Sequence, residues 1–217
     1  TSVDERVSQR AARELYLKGF EIAVRESDPW TIMASYNKIN GQYSMGNHDL
    51  LTKILRDDWG YKGIVMTDWI GIREGLPTIT EVYAGNDLME PGQPAQVQEI
   101  IAGVKSGKLD IKDVDRNVRR MLEYIVKTPS FNKYPYTNKP DLKAHAAITR
   151  QSATEGIVLL KNNGELPFKT EGNLSPSHLS PLIKTVALFG ENSYEFLSGG
   201  TGSGCVHPPY VVDMLNR

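Results

Sequence analysis

The sequence predicts an α/β fold in which a parallel sheet is covered by helices. Short apolar runs alternate with segments of helical periodicity over residues 1–127, as in folds built from β-α units. The runs at residues 30–36 and 63–68 are apolar nearly throughout, which is typical of parallel strands buried on both faces. A second alternation of the same kind begins after residue 140.

The helices of the first half are predicted from apolar residues that recur every three or four positions. Ser2 and Asp4 are suited to cap the first helix, and Pro29 follows its expected end near Ser27. Gly60 is expected to stop the second helix. The predicted helices run from these caps to residue 27, then over residues 48–59, around 78–84, 95–106 and 111–127.

Three strands are predicted in the same half, at residues 30–36, 63–68 and 86–90, with a turn at Asn40-Gly41. Three strands cannot close a barrel. If the parent fold is a (β/α)₈ barrel, residues 1–127 are its last part.

The composition changes at residues 128–140, where three prolines lie among aromatic, Asn and Lys residues. We interpret this segment as a linker and residues 141–217 as the beginning of a second α/β domain. That domain is predicted to contain a helix, two strands, a surface loop and a glycine-rich segment, at residues 141–154, 156–160, 185–189, 170–181 and 199–204. Because the chain opens at Thr1 without Met and stops at Arg217, we expect it to be the middle of a longer gene product.

Composition argues against several classes of protein. The net charge is −1 and no Lys/Arg block is present, so no nucleic-acid partner is indicated. No apolar run approaches the ~18–20 residues of a membrane span. Cys205 is the single cysteine, and no Cys/His cluster has zinc-site spacing. The compartment stays open between cytoplasm and periplasm or secretion.

Candidate chemistry lies where the predicted strands end, because ligands of parallel α/β folds bind at the carboxyl ends of strands. This rule selects Tyr36, Asp68 with Trp69, and Glu90. Asp68 follows a largely apolar run, so its carboxylate is either buried and hydrogen-bonded or exposed in a cleft. Its role without catalysis would be that of a helix cap. Trp69 offers a flat apolar face on which a sugar ring can stack.

Other candidates have interpretations that need no ligand. Packing is the favoured role of Tyr36 and of Met33 on pattern alone. The glycine-rich segment lacks a convincing phosphate-binding spacing. It is either a flexible loop or a backbone that lies close to a ligand. The four histidines form no constellation, and each is interpreted as solvated or structural.

Several segments together resemble glycoside hydrolase family 3. They are SYNKINGQY, LLTKILRDDWGYKGIVMTDW, AGNDLMEPG, GIVLLKNNGELPF, TVALFGENS and GGTGSG, in this order. The similarity is greatest to two-domain bacterial β-glucosidases. It implies the last part of a (β/α)₈-like barrel followed by the start of an α/β sandwich domain.

The resemblance also implies roles for named residues. Asp68 matches the nucleophile, and Met33, Tyr36 and Trp69 match residues that line the sugar pocket. Ser203 matches a serine that reaches the substrate from the second domain. The family's acid/base glutamate would lie beyond Arg217, and Glu90 and Glu191 are interpreted as structural.

The implied function is a retaining, exo-acting β-glycosidase that hydrolyses terminal β-D-glucosyl residues without metal or organic cofactor. A small β-glucoside or cello-oligosaccharide is the expected substrate, and a homodimer of the full-length enzyme is a further expectation. A β-xylosidase, another exo-acting member and a non-catalytic carbohydrate-binding remnant are the alternatives. Residues 1–217 alone are expected to be inactive.

Overall fold

The computed structural model of the protein describes residues 3–69, 75–164, 166–167 and 185–214. The chain divides into two compact units, Thr1–Asn138 and Lys139–Arg217. The predicted surface loop at residues 170–181 lies outside the described residues.

The described residues form five strands, and all of them belong to the first unit. They are β1 Asp4–Glu5, β2 Thr31–Ala34, β3 Lys38–Ile39, β4 Gln42–Tyr43 and β5 Ile64–Thr67. The two longer strands, β2 and β5, pair in parallel, with Thr31 opposite Ile64 and Ala34 opposite Thr67. The two predicted strands at 30–36 and 63–68 are therefore confirmed as a parallel pair.

The third predicted strand, at residues 86–90, is reduced to one parallel bridge between Met66 and Leu88. The chain leaves the ladder after Leu88, because the Glu90 N–H donates to the side-chain hydroxyl of Thr67 at 2.9 Å rather than to a strand carbonyl. Pro91 follows and has no N–H to donate.

A small second sheet has the strand order β1-β3-β4, with β1 parallel to β3 and β3 antiparallel to β4. The predicted helix start at Ser2 and Asp4 is wrong, because Asp4 lies in β1 and its carboxylate accepts the Gly41 N–H at 2.8 Å. Ser8 caps the first helix instead, accepting the Ala11 N–H at 3.1 Å. The Asn40-Gly41 turn joins β3 to β4 as predicted.

The helices follow the predicted ones closely at their C-terminal ends. In chain order they are α1 Gln9–Ala11, the π-helix α2 Ala12–Tyr16, α3 Lys18–Ser27, the π-helix α4 Asp49–Asp58, α5 Thr78–Ala84, α6 Pro94–Lys105, α7 Ile111–Ile125 and α8 Leu142–Gly156. Short 3₁₀ turns cover Ser44–Gly46, Glu191–Ser193 and Gly202–Gly204.

The core of the first unit lies between the parallel sheet and the helices that cover it. Its buried members include Met45, Leu51 and Leu55 around α4, Val65 of β5 and Ala84 of α5. Each large side chain of this kind stabilises the fold by about 1.5–3 kcal/mol through its removal from water. The packing of α4 against β5 therefore fixes the strand that precedes Asp68.

The described part of the second unit contains α8 and 3₁₀ turns but no strand. The strands predicted at residues 156–160 and 185–189 are not formed. Gly156 is still helical, and no described segment pairs with either run. Most of their apolar side chains stay exposed, with Leu160 at 92% and Phe189 at 86% of full exposure. An apolar run becomes a strand only where a neighbour completes its hydrogen bonds.

Candidate active site

Four of the predicted site residues lie together at one edge of the parallel sheet. Met33 lies in β2 and Tyr36 two residues beyond its end, while Asp68 and Trp69 follow directly after β5. Because β2 and β5 are parallel, their carboxyl ends meet at the same edge. This is the edge that the placement rule for parallel α/β folds selects.

The pleat of the two strands assigns Met33 and Asp68 to one face of the sheet. Ala34, Val65 and Thr67 are buried against the helices, whereas Met33, opposite Met66 in the ladder, is 58% exposed. Alternation places Asp68 on the Met66 face, since it lies two residues further along. The packing interpretation of Met33 is wrong, because its side chain lies on the open face of the sheet.

Asp68 is partly exposed at the end of β5. Its Oδ1 accepts the backbone N–H of Trp69 at 2.6 Å. The Trp69 side chain is 59% exposed beside it. The alternative interpretation of Asp68 as a helix cap concerns residues 70–74, which lie outside the described residues.

Tyr36 connects the two strand ends. Its hydroxyl donates to the backbone carbonyl oxygen of Trp69, while its ring packs against the hydrophobic core. The packing expected from pattern is present, and the hydroxyl is directed at the chain segment that carries Asp68. Tyr36 therefore holds the ends of β2 and β5 at a fixed separation.

Glu90 takes part through its backbone, since its N–H donates to the Thr67 hydroxyl at 2.9 Å. Thr67 is buried, and its own N–H donates to the Leu88 carbonyl at 2.9 Å. These bonds fasten the last residue of β5 to the neighbouring segment. They also agree with the structural interpretation of Glu90.

A buried charged cluster beneath β5 was not predicted from the sequence. The Asp87 carboxylate lies 2.6 Å from Arg56 Nη2 and 3.3 Å from Arg120 Nη1, and its side chain is fully buried. Burial lowers the pKa of Arg56 to about 10. Burial likewise raises the pKa of Asp87, against the opposing effect of Arg56. The one feature of the sequence that indicates this charged cluster is the polar pair Asn86-Asp87, which lies inside the run interpreted as a strand.

The Asp87 carboxyl group is ionised in this cluster, because it accepts one hydrogen bond from each of the two guanidinium groups and one from the Val65 N–H. Hydrogen bonds to a carboxylate favour its charged form. Because two arginines face one ionised aspartate, the cluster has a net positive charge.

Ser203 belongs to the second unit and lies in the exposed 3₁₀ turn Gly202–Gly204. The segment folds back on itself, with the Gly200 N–H donating to the Gly204 carbonyl at 2.9 Å. Gly202 has φ +59°, a conformation that glycine adopts readily. The role of Ser203 toward a sugar stays a prediction.

Within residues 3–69, 75–164, 166–167 and 185–214, no group of three or more His, Cys, Asp or Glu side chains could hold a metal ion. In the same part of the chain, no helix is long and apolar enough to span a bilayer.

Residues 2–124 match the family model described as the glycosyl hydrolase family 3 N-terminal domain. Beta-glucosidase B of Emericella nidulans is 37% identical to this chain over 219 residues, which is 97% of the chain and 24% of that protein. An exo-α-(1→6)-L-arabinopyranosidase of Bifidobacterium breve is 36% identical, over 99% of the chain and 27% of that protein.

Among solved structures, beta-glucosidase 3B of Thermotoga neapolitana in complex with α-D-glucose is 43% identical to this chain, with a TM-score of 0.81. The match covers 99% of this chain and 29% of that one. The predicted α/β fold class is confirmed by this likeness. The chain spans about a quarter of the length of the relatives that it matches. The chain belongs to glycosyl hydrolase family 3, as the family model, the relatives and the solved structure agree.

Proposed function

We propose that the protein carrying this chain is a retaining, exo-acting β-glucosidase with Asp68 as its nucleophile. The observation that carries the proposal is the position of Asp68, partly exposed on the open face at the carboxyl end of β5, beside the exposed ring of Trp69. The names of the glucosidase relatives support glucose as the sugar.

The reaction would proceed in two displacements at the anomeric carbon. Asp68 attacks that carbon, the glycosidic C–O bond breaks, and a carboxylic acid protonates the departing oxygen. The resulting carboxylate then takes a proton from water, whose oxygen displaces Asp68 and releases the sugar with its original configuration. This mechanism needs two carboxyl groups about 5–5.5 Å apart. We propose that a glutamate of the whole protein supplies the second one.

The surroundings of Asp68 suit a nucleophile. The Trp69 N–H bond holds one carboxylate oxygen and leaves the other for attack. Met33 and Trp69 give apolar surface on which the less polar face of a pyranose can rest. Tyr36 fixes the Trp69 carbonyl and thereby the backbone on which Asp68 is mounted.

The proposal is tested by replacing Asp68 with Ala in the whole protein that carries these residues. Hydrolysis of an aryl β-glucoside should fall by several orders of magnitude, since the covalent step is removed. Added azide should restore turnover and yield the glycosyl azide of inverted configuration. The matched control is Asp57→Ala, because Asp57 is an exposed carboxylate on α4 away from the strand ends.

Normal activity of Asp68→Ala would reject the assignment of the nucleophile. A wild-type protein that binds glucosides without hydrolysing them would instead identify a non-catalytic carbohydrate-binding member. Asp57→Ala must keep normal activity if the loss of activity in Asp68→Ala is to be attributed to loss of the nucleophile.

An arabinopyranoside-hydrolysing enzyme is the second candidate function, because two of the relatives are named exo-α-(1→6)-L-arabinopyranosidases. An aryl β-D-xyloside lacks only the hydroxymethyl group of the glucoside, whereas an α-L-arabinopyranoside lacks it and also has the opposite configuration at C4. The experiment measures kcat/KM for an aryl β-D-glucoside, an aryl β-D-xyloside and an aryl α-L-arabinopyranoside. The three values show which sugar the enzyme prefers. We expect the glucoside to have the highest value.

A further inference from the structure

The base of β5 is held by four side chains from two helices and two loops, which we name the β5 clamp. Its members are Arg56, Tyr61, Asp87 and Arg120. They contact backbone groups of the strand, of the residue before it, or one another. None of them is one of the site residues Met33, Tyr36, Asp68 and Trp69.

Arg56 joins three separate segments of the chain. Its Nη1 donates to the Gly63 carbonyl at 3.0 Å, at the start of β5, and its Nη2 donates to Asp87 Oδ2 at 2.6 Å. The guanidinium lies 5.2 Å from the centre of the Tyr61 ring. The Tyr61 hydroxyl in turn donates to the Ile64 carbonyl at 2.7 Å. Only 6% of the Arg56 side chain is exposed, so these contacts are shielded from water.

Asp87 continues the clamp to the middle of β5. Its Oδ2 accepts the Val65 N–H at 2.8 Å, and its own N–H donates to the Val65 carbonyl at 2.8 Å. Arg120 from α7 approaches the other carboxylate oxygen at 3.3 Å. Side chain and backbone of Asp87 thus fix both polar groups of Val65.

Asp68 lies only three residues beyond Val65, which is about 10 Å along an extended strand. The intervening residues Met66 and Thr67 are held in the ladder by the bridge to Leu88 and the bond to Glu90. A shift or rotation of the backbone at Val65 would therefore also displace Asp68, because the two residues between them are held in place.

We propose that Arg56 and Asp87 are positioning residues that set the place from which Asp68 attacks the anomeric carbon. The inference rests on the proposed function of Asp68. It assigns to the β5 clamp an effect on the rate of the covalent step that is separate from its effect on stability. Displacement of a reacting group by about 1 Å can lower a rate about a hundred-fold.

The two effects can be separated because a buried ion pair can be replaced without a large change in stability when both charges are removed together. The variant is Arg56→Met combined with Asp87→Asn, in which the amide oxygen still accepts the Val65 N–H. The matched control is Arg13→Met with Asp58→Asn, which removes an exposed ion pair of similar length, 2.7 Å, from the same unit.

The measurement is the rate at which a 2-deoxy-2-fluoroglucosyl fluoride labels Asp68, followed by intact mass and peptide mapping in the whole protein. The limiting rate reports attack by Asp68, and the concentration dependence reports binding. We expect the clamp variant to be labelled about ten- to a hundred-fold more slowly, with glucose inhibition constants within about two-fold of wild type. The control pair should be labelled at the wild-type rate.

Labelling of the folded clamp variant at the wild-type rate would overturn the inference. If that double variant does not fold, the rate at which Asp68 is labelled in Arg56→Lys provides the test. Lys keeps the charge, but a single nitrogen cannot reproduce the planar fork that reaches both Gly63 and Asp87. A wild-type rate in Arg56→Lys would overturn the inference, and slow labelling with unchanged binding would support it. Failure of the reagent to label Asp68 in the wild-type protein would reject the proposed function itself.

Discussion

At the scale of single residues, the site depends on side chains placed at or just beyond the ends of two strands. Tyr36, Asp68 and Trp69 could be predicted, because polar and aromatic residues that follow a buried run are visible in the sequence. The partnership of Arg56 with Asp87 could not. The two residues are 31 positions apart, and only the fold brings them within 2.6 Å.

Removing the hydroxyl of Tyr36 should loosen the segment that carries the nucleophile. Tyr36→Phe keeps the ring in the core but loses the bond to the Trp69 carbonyl. We expect kcat/KM for an aryl β-glucoside to fall about ten-fold, as for a small misplacement of a reacting group. The loss of stability should be about 0.5–1.5 kcal/mol, the contribution of one hydrogen bond. Equal kcat/KM values for the variant and the wild type would contradict this role.

Gly63 should be intolerant of any side chain. A Cβ at this position would overlap the Trp30 carbonyl and the Tyr61 hydroxyl. We expect Gly63→Ala to lower the free energy of unfolding by about 1–3 kcal/mol, as overpacking does. The matched control is Gly19→Ala in α3, where nothing lies within 4 Å of the added methyl. It should stabilise the protein by about 0.5–1 kcal/mol. Chemical denaturation of both variants checks the contrast.

At the scale of elements, the longer helices and the two central strands could be predicted because each has a periodic or continuous apolar pattern. The small sheet could not. Its strands β1, β3 and β4 are two residues each and polar in part, so no periodicity marks them. They form because the Asn40-Gly41 turn returns the chain and because Asn40 binds both the N–H and the carbonyl of Val7.

The pH dependence of one helix can also be predicted. On α4, Asp49 lies 2.6 Å from Lys53, one turn later. The hydrogen bond from Lys53 holds the pKa of Asp49 below its usual value of 3.8. The ion pair therefore stabilises the folded state above about pH 4 and is lost as the pH falls through the lowered pKa. The effect should be small, because both side chains are more than half exposed.

Thermal unfolding of Asp49→Asn should show a slightly lower Tm than wild type at neutral pH and an equal Tm near about pH 2. In a Lys53→Met background, Asp49→Asn should have a smaller pH-dependent effect, and the difference measures the pair. A difference in Tm that persists unchanged at low pH would show that the ion pair is not its cause.

At the scale of the whole molecule, the two units differ in how well they bury apolar side chains. The first unit has a core of fully buried residues such as Met45 and Val65, whereas the described part of the second exposes Leu160 and Phe189. The family resemblance could indicate a second domain here. It could not indicate which segments of the described chain would pair, because pairing depends on neighbours rather than on the run itself.

Contiguous exposed apolar side chains attract hydrophobic dyes and promote association. We expect the 217-residue chain on its own to bind 8-anilinonaphthalene-1-sulfonate and to associate as its concentration rises. Leu160→Lys should reduce both effects, whereas Lys161→Ala, beside it on an exposed segment, should not. Dye fluorescence and light scattering test this. Equal dye binding by the Leu160 variant would mean that other surfaces bind the dye.

The exposed thioether of Met33 makes the proposed active site sensitive to oxidation. Met33 stands open to solvent at the proposed sugar-binding edge, whereas Met45 is fully enclosed in the core. Peroxide should convert Met33 to its sulfoxide well before Met45, replacing a soft apolar surface by a polar, bulkier one. Activity should then decline while the fold persists, and Met33→Leu should resist the decline. Enzymatic reduction of the sulfoxide should restore the activity, so the state of one sulfur atom would record the protein's exposure to oxidants.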